Sequence, residues 1–290
     1  MGADDEYKTA VDPLFRSVYA FGIPRAKQTH SIPSYIRISS YKMRSAALLT
    51  ALLAGQAFAY PKPVIQSTSK RGWPSINAFL TEIAKIMPIG DTITAACDLI
   101  GDGEDIAADL FGIDNTENEA CGDVTVVFAR GTCDPGNVGV LVGPFFFNSL
   151  QNALGSTSLG VQGFDYPASV QGFLSGAVQP GIDLASKITS VTQSCPNTKL
   201  VVGGYSQGSL VVHNAVGHLD AATASKISAV VLFGDPRDGQ ALPNVSASKV
   251  LTVCHDGDNI CAGGDIILLP HLTYAEDADS AAAFVAPLVS

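Results

Sequence analysis

The stretch LVVGGYSQGSLVVHNAV, Leu200–Val216, joins two different apolar patterns. Its first residues form a short apolar run that is typical of a buried strand, and the apolar residues after Ser209 recur at the spacing of one helix face. A chain that leaves a strand and enters a helix at once must turn sharply, which strains the central residue and requires very small neighbours. Gly204 and Gly208, two positions either side of Ser206, are such neighbours. The pattern G-x-S-x-G therefore predicts a strand–turn–helix unit that presents Ser206 Oγ at a helix N-terminus.

Short apolar runs alternate with helical patterns from Val124 onward. The strand-like runs are VTVVFA (124–129), LGVQGF (159–164), KLVVGG (199–204), ISAVVLFG (227–234) and KVLTVC (249–254). The helical patterns include GPFFFNSLQNAL (143–154), GIDLASKITSVTQ (181–193), the residues after Ser206 and a final helix near 277–288. This alternation predicts a single α/β domain, in which helices cover both faces of a parallel sheet.

Two further helical stretches precede this alternation. SINAFLTEIAKIM (75–87) has apolar residues on one face and begins at Ser75, a typical N-cap; a second, acidic stretch runs to about Gly112. The acidic cluster Asp102-Gly103-Glu104-Asp105 and the later DGDN (256–259) lack the ligand spacing of a calcium loop. We therefore expect both to be solvated surface, and the sequence indicates no metal site.

A serine hydroxyl becomes a good nucleophile only when a base takes its proton, so Ser206 requires a histidine. The helix after Ser206 carries His213 and His218, but at 1.5 Å per residue they lie about 10 and 18 Å along its axis, out of reach. His30 lies in a segment that we expect to be absent from the mature protein, and His255 ends a strand, where a surface imidazole is ordinary. His271, in a loop after the last strand, fits the chain order Ser, Asp, His of this class of fold, and it is the predicted base. 

Two aspartates could orient that histidine. Asp258 lies in the six-residue loop between Cys254 and Cys261, which a disulfide would stiffen, and Asp235 ends the strand run VVLFGDP. Either could instead cap a turn. We favour Asp258 because a stapled loop holds a carboxylate in a fixed position, and Asp235 is the alternative.

The N-terminal region predicts a secreted protein. MRSAALLTALLAGQAFAYPKP (43–63) has a basic residue, an apolar core and an A-x-A cleavage site. The apolar core is shorter than the roughly 20 residues of a membrane span, which disfavours an anchor. We expect 1–42 to be a disordered part of an over-extended gene model, 43–59 a signal peptide, 60–71 a possible propeptide ending at a dibasic pair, and 72–290 the catalytic domain.

Charge and cysteine content restrict the partners and the compartment. Residues 72–290 keep 7 of the 17 Lys and Arg but 23 of the 27 Asp and Glu, so their formal net charge is −16. Such a chain is repelled by nucleic acids and anionic membranes. All six cysteines lie in this range, and an even number behind a secretion signal favours three disulfides.

With these residues assembled, the chain resembles the fungal cutinases, in the esterase family that also holds acetylxylan esterases. The resemblance covers roughly Cys121 to Ala283. It rests on FARGTCDPGNVG (128–139), GYSQG (204–208), the loop that carries Asp258, and PHL (270–272). It implies an α/β-hydrolase-type three-layer sandwich with a central five-stranded, mainly parallel sheet and helices on both faces.

The resemblance also implies roles for individual residues. Ser206 would attack an ester carbonyl, His271 would take its proton and Asp258 would hold the imidazolium. The oxyanion would bind to the backbone N–H of Gln207 and to Thr132, which stands where well-known cutinases carry serine. No cofactor or metal is implied. The family's disulfides would be Cys121–Cys195 and Cys254–Cys261, and the remaining two cysteines, Cys97 and Cys133, would then form a third.

Apolar residues beside the predicted base indicate the substrate. Ile267, Leu268 and Leu272 would form a rim near His271, with Phe146 on the opposite side. Such a rim suits aliphatic polyesters such as cutin, or short-chain esters, better than acetylated xylan, which is the alternative substrate. A third possibility is a secreted recognition protein on a hydrolase scaffold, which the complete set of catalytic residue types disfavours.

Three further expectations concern the whole chain. The extension 72–120 is longer than in minimal cutinases and would act either as a buttress or as a lid over the site. Asn244 begins the sequon NVS and could carry a glycan. We expect a monomer.

Overall fold

Five parallel strands form the centre of the described chain, which in this computed structural model comprises residues 73–290. The segments 1–42, 43–59 and 60–71, for which we predicted a gene-model extension, a signal peptide and a propeptide, lie outside the described residues. The strands are β1 (Val124–Ala129), β2 (Leu159–Gly163), β3 (Lys199–Tyr205), β4 (Ile227–Phe233) and β5 (Val250–Val253). Their order across the sheet is β2-β1-β3-β4-β5, and every pairing is parallel.

Helices cover the sheet on both faces, as the alternating sequence pattern predicted. The helices are α1 (Ile76–Ile86), α2 (Ile93–Phe111), α3 (Gly143–Leu154), α4 (Val170–Leu174), α5 (Val178–Ser194), α6 (Gln207–His218), α7 (Ala221–Ser225) and α8 (Ala278–Val289). Helix α3 connects β1 to β2, toward one side of the sheet. Helix α5 connects β2 to β3, and α6 connects β3 to β4, both in the opposite direction across the sheet. Right-handed crossovers then place α3 on one face and α5 and α6 on the other, and α8 packs against α3. The predicted three-layer α/β sandwich is confirmed.

The central strands are buried on both faces because they consist almost wholly of apolar residues. Every residue of β1 is buried, and β3 is buried from Leu200 to Tyr205. Parallel strands of this kind leave their carboxyl ends at one edge of the sheet, where the loops that follow them meet. Ser206 follows β3 at this edge, and the segment that begins at Arg130 follows β1.

The aromatic triplet of α3 belongs to the core, which corrects one expectation. Phe146 has no exposed surface, and its ring lies 5.9 Å from that of Phe147 and 5.8 Å from that of Phe233 on β4. Phe145 is also buried and contacts the ring of Phe79 on α1 at 4.6 Å. The prediction of Phe146 as a substrate-rim residue is therefore wrong, because its position on α3 points it into the sheet interface.

The N-terminal helices pack onto the domain through their apolar faces. Phe79 and Ile83 of α1 are fully buried, whereas Ser75 does not cap α1 with its side chain. Helix α2 ends at Gly112, which adopts the left-handed conformation with φ of 65°. The expectation of solvated surface is wrong at Glu104 in the acidic cluster of α2, which is completely buried, and at Asp258 in DGDN (256–259), which is also buried. No helix within residues 73–290 is long and apolar enough to cross a bilayer.

Candidate active site

The turn between β3 and α6 holds Ser206 in a strained conformation. Its φ is 55° and its ψ is −117°, a combination that non-glycine residues rarely adopt. A Cβ on Gly204 would lie 2.5 Å from the carbonyl of Gly208, and a Cβ on Gly208 would clash with the carbonyl of Ala129. Both glycines are thus required for the close approach of strand and helix that the sequence predicted.

His271 and Asp258 meet Ser206 in one chain of hydrogen bonds. Ser206 Oγ lies 2.9 Å from His271 Nε2, and His271 Nδ1 lies 2.8 Å from Asp258 Oδ2. His271 belongs to the 3₁₀ turn Leu269–Leu272, and Asp258 lies in the loop after β5. All three side chains are buried. The structure therefore brings together the three residues that the sequence selected as nucleophile, base and orienting acid.

The surroundings of Asp258 keep it ionised. Burial alone would raise the pKa of this carboxyl, but the hydrogen bond and charge of His271 act in the opposite direction. Tyr274 Oη donates to Asp258 Oδ2 at 2.7 Å, and Ile260 N donates to Oδ1 at 2.9 Å. Together these contacts lower the pKa of Asp258 below its usual value. A permanent negative charge then stabilises the protonated imidazole that catalysis requires.

Tyr205, between the glycines of the nucleophile turn, fixes the position of His271. Its hydroxyl donates to the backbone carbonyl of His271 at 2.9 Å, and the two rings stack with centroids 5.2 Å apart. Tyr274, in the turn that follows His271, links Asp258 to the end of β5 because its hydroxyl also accepts from His255 N at 3.0 Å. Sequence reasoning did not single out either tyrosine.

Asp235, the alternative candidate for the orienting acid, contacts a different histidine from the one that contacts Ser206. Asp235 Oδ2 lies 2.8 Å from His213 Nε2, and both side chains are buried. His255, which we expected to be a surface imidazole, is half-buried and bonds through Nε2 to Asp277. Asp235 thus has its own histidine on α6, and Asp258 is the carboxylate that contacts His271.

The segment after β1 places Thr132 against the nucleophile. Thr132 and Ser206 line the same small cavity, and Thr132 Oγ1 is buried without a hydrogen-bond partner. A buried donor without a partner is rare and costly. The Thr132 hydroxyl is therefore suited to donate a hydrogen bond to an oxyanion. Gln207, the other predicted oxyanion donor, begins α6, so its backbone N–H is among those that a helix leaves free at its N-terminus.

Arg130 holds the shape of this segment from within. Its guanidinium is buried and donates to the carbonyls of Asp134 at 2.7 Å and Tyr166 at 2.6 Å. Asp134 Oδ2 accepts in turn from Gly131 N at 2.8 Å. The backbone on both sides of Thr132 is therefore fixed by hydrogen bonds, which keeps a candidate oxyanion donor in place before substrate arrives.

Three disulfides are present, in the pairings that the family resemblance implied. Cys254–Cys261 closes the loop that carries Asp258, and Cys121–Cys195 lies at the opposite edge of the sheet, near the start of β1 and the end of α5. Cys97–Cys133 joins α2 to the residue directly after Thr132. The third bridge makes the N-terminal extension part of the site.

Helix α2 closes the site. The cavity beside Ser206 has a volume of only about 10 Å³, which is room for about one water molecule. Ile93 and Ile100 of α2 line it together with Leu141, and sequence reasoning missed all three. Of the predicted rim residues, Ile267 and Leu272 line this cavity and are buried. Leu268 is half-buried and lies outside the cavity lining, as does Phe146.

A family model described as Cutinase matches residues 120–289, which is more than half of the chain. The chain belongs to the cutinase family. The cutinase cut1 of Trichoderma harzianum is 77% identical over 248 residues, which cover 86% of this chain and all of the relative. The cutinase pbc1 of Pyrenopeziza brassicae is 47% identical over 204 residues, 70% of this chain and 97% of the relative. The cutinase family consists of carboxylic ester hydrolases, and this chain is one of them.

Solved structures agree with this membership. A Trichoderma reesei cutinase in complex with a C11Y4 phosphonate inhibitor matches with a TM-score of 0.67 and 78% identity, over 75% of this chain and all of that one. An acetylxylan esterase matches with a TM-score of 0.50 and 22% identity, over 59% of this chain and all of that one. At that identity the acetylxylan esterase shares the cutinase fold and nothing more is inferred from it.

Proposed function

We propose that this cutinase-family enzyme hydrolyses esters of aliphatic polyesters such as cutin, and of short acyl chains, with Ser206, His271 and Asp258 as its catalytic triad. The observation that carries the proposal is the continuous hydrogen-bond chain from Ser206 Oγ through both ring nitrogens of His271 to Asp258. The names of the relatives, all cutinases, support the same substrate class.

The first half of the reaction forms an acyl-enzyme. His271 Nε2 takes the proton of Ser206 Oγ as the oxygen attacks the ester carbonyl carbon. The carbonyl oxygen becomes an oxyanion, which Thr132 and the backbone N–H of Gln207 stabilise. His271 then gives its proton to the departing alkoxide, which leaves as an alcohol. Asp258 stabilises the imidazolium throughout because it remains ionised.

The second half releases the acid. A water molecule takes the place of the alcohol, gives its proton to His271 Nε2 and attacks the acyl carbonyl. The same oxyanion donors act again, and Ser206 leaves with the proton held by His271. The products are an alcohol and a carboxylic acid, and the chain's own residues supply every proton transfer.

The apolar cavity lining favours an aliphatic substrate over an acetylated sugar. Ile93, Ile100, Leu141, Ile267 and Leu272 surround the polar catalytic atoms. A sugar ring would need hydrogen-bonding side chains at these positions, whereas a methylene chain loses water-exposed surface against them.

We further propose that α2 is a lid rather than a buttress. An ester cannot occupy a cavity of about 10 Å³, so α2 must move before Ser206 can react. The outer face of α2 carries Leu99, Ile106 and Leu110, which are 54%, 56% and 60% exposed. A helix with apolar residues on both faces can exchange its contacts with the domain for contacts with a polyester surface.

The test compares purified wild type with two variants on p-nitrophenyl butyrate. Ser206→Ala should abolish hydrolysis, whereas Ser186→Ala, which removes an exposed hydroxyl on α5, should leave it unchanged. Release of soluble products from cutin or polycaprolactone should exceed acetate release from acetylated xylan. Greater activity on acetylated xylan would contradict the substrate assignment, and an active Ser206→Ala variant would contradict the mechanism.

We propose that the enzyme is secreted after removal of 43–59. The basic residue, apolar core and A-x-A cleavage site within 43–63 support this proposal. Asn244 is exposed, as a glycan acceptor must be. N-terminal sequencing and mass spectrometry of protein from culture medium test both points; a protein that retains residues 1–42 would contradict the first.

A further inference from the structure

A buried pair of carboxyl groups joins α2 to the segment that carries Thr132. Glu104 on α2 has no exposed surface, and Asp134, two residues after Thr132, is 5% exposed. Adjacent backbone groups bring the two side chains together: Val140 N donates to Glu104 Oε2, and a Cβ on Gly139 would lie 2.6 Å from Asp134 Oδ2. Carboxylates are acceptors only, so a hydrogen bond between two carboxyl groups requires a proton on one of them.

The remaining contacts place that proton on Glu104. Asp134 Oδ2 accepts from Gly131 N at 2.8 Å, as expected of a carboxylate. Glu104 Oε2 accepts from Val140 N at 2.9 Å, but Glu104 Oε1 is buried and receives no donor. A buried carboxylate oxygen without a donor is costly. A protonated Oε1 is instead a donor, and its hydrogen bond to Asp134 satisfies both groups.

The charges around the pair agree with a single proton. Arg130 supplies one permanent positive charge, which balances one carboxylate but not two. Burial and the neighbouring Asp134 raise the pKa of Glu104 well above its usual value, and Asp105 on α2 adds to this effect. Burial also raises the pKa of Asp134, while Glu104, the Gly131 N–H, Arg130 and His271 oppose that rise. Tyr166 and Tyr205 also face the pair, and both remain neutral because burial raises the pKa of each.

We propose that Glu104 is a positioning residue whose carboxyl proton fastens α2 to Asp134 and so keeps the site closed. When the proton leaves for solvent, two buried negative charges lie side by side and repel each other. Helix α2 is then released and Ser206 becomes accessible. The inference rests on the proposed role of α2 as a cover for Ser206, and it adds that a single proton controls the cover.

The other attachments of α2 define how it can move. At its start, Ile93 N donates to the carbonyl of Asp265 at 2.8 Å, and Ile267 N donates to that of Asp91 at 2.9 Å. The Cys97–Cys133 disulfide follows within the first turns. Glu104 lies farther along, in the second half of the helix. Release of Glu104 would therefore let the part of α2 beyond Cys97, which includes Ile100 over the cavity, swing out while the start of the helix stays attached.

The direction of the pH effect follows from the raised pKa. The closed state holds the Glu104 proton more tightly than an open state in which Glu104 meets water. The stabilisation is complete below the ordinary pKa of glutamate and is lost as pH rises through the raised pKa. Between the ordinary and the raised pKa the opening equilibrium of α2 should therefore increase about tenfold per pH unit, and above the raised pKa it should level off.

The test measures hydrogen exchange of α2 amides across a pH series, corrected for the intrinsic exchange rate. Glu104→Gln keeps a donor for Asp134 and an acceptor for Val140 N but cannot lose a proton. Its opening equilibrium should be independent of pH, whereas that of wild type should rise about tenfold per pH unit between the ordinary and the raised pKa of Glu104. Glu117→Gln is the matched control, since burial with Glu119 and Asp114 raises the pKa of Glu117 to about 7 at a site away from α2. That variant should behave as wild type.

Infrared spectroscopy tests the proton itself without any esterase assay. The difference between wild type and Glu104→Gln, recorded over the same pH series, should contain the carbonyl stretch of a protonated carboxylic acid at pH values above the ordinary pKa of glutamate. If Glu104→Gln does not fold, Asp134→Asn serves instead, since its amide can donate to an ionised Glu104 and should remove the same band. Absence of the band, or an α2 opening slope that persists in Glu104→Gln, would overturn the inference. Neither readout depends on turnover. If wild type had no esterase activity but α2 opening were independent of pH in Glu104→Gln only, the proposed function would be refuted and the role of Glu104 would stand.

Discussion

Replacing Asp258 by asparagine tests the direction of the catalytic hydrogen bonds. Asp258 Oδ1 accepts from Ile260 N, and Oδ2 accepts from both His271 Nδ1 and Tyr274 Oη. An asparagine that keeps its oxygen on Ile260 N must turn its NH₂ group toward His271. The imidazole would then accept at Nδ1 and carry its hydrogen on Nε2, where it could no longer take a proton from Ser206. The wrong tautomer should lower kcat about 10⁴-fold while leaving the fold intact.

The molecule contains its own control for this experiment. Asp235 and His213 form a second buried pair with the same 2.8 Å separation, and Asp235 Oδ1 likewise accepts a backbone N–H, from Arg237 at 2.9 Å. Asp235→Asn repeats the chemical change in a matching environment away from Ser206. Its kcat per folded molecule should equal that of wild type.

Initial rates on p-nitrophenyl butyrate, normalised to the folded fraction by circular dichroism, measure both variants. Loss of activity in Asp235→Asn comparable to that in Asp258→Asn would refute the assignment, because the effect would then come from breaking any buried pair. An Asp258→Asn variant that keeps a tenth of wild-type kcat would do the same.

Three further changes have definite expected results. Thr132→Val removes one oxyanion donor and should lower kcat on p-nitrophenyl butyrate about 10²–10³-fold, whereas Thr132→Ser should keep most of the activity. Tyr274→Phe removes a donor to a charged carboxylate and should cost about 1.5–3 kcal/mol of unfolding free energy in urea. The Tyr274 hydroxyl helps to lower the pKa of Asp258, and the stability that this lowered pKa contributes is lost as pH falls. In Tyr274→Phe the midpoint of acid unfolding should therefore lie at higher pH than in wild type. An unchanged midpoint would contradict this. Replacing Cys97 and Cys133 together by serine opens a 36-residue loop and should cost about 4 kcal/mol, with faster hydrogen exchange in α2; unchanged exchange would show that the bridge does not hold the lid.

The strand–turn–helix unit around Ser206 was predictable because backbone geometry leaves few residue types that fit it. Only glycine can stand at 204 and 208 where β3 and α6 approach so closely. The buried strands were predictable as well, since a sheet covered on both faces requires continuous apolar runs. Chain order then selected His271 among the five histidines.

The closure of the site was not predictable from the pattern of α2. Its apolar residues lie on both faces, with Ile93 and Ile100 inside and Leu99 and Ile106 outside, so periodicity alone does not say which face is buried. Glu104 was misplaced for a related reason. An acidic cluster is ordinarily solvated, and only the fold brings a carboxyl partner and the Val140 N–H to this side chain.

Consecutive aromatic residues posed a different problem at α3. Successive helical residues are rotated by about 100° around the helix axis, so three consecutive phenylalanines cannot all face the same cavity. The contact of Phe146 with Phe233 depends on how α3 crosses the sheet, which local sequence does not specify. The pairing of His213 with Asp235 likewise joins α6 to the end of β4. No sequence pattern relates these two residues, so the contact could not be predicted.

Covalent labelling tests the central claim most directly, namely that the fold makes the Ser206 hydroxyl uniquely nucleophilic. The enzyme is treated with diethyl p-nitrophenyl phosphate under conditions that open α2, and the labelled peptide is identified by mass spectrometry. We predict a single diethyl phosphoryl group on Ser206, added in step with loss of esterase activity. A label on another residue, or full inactivation with Ser206 unmodified, would contradict the account.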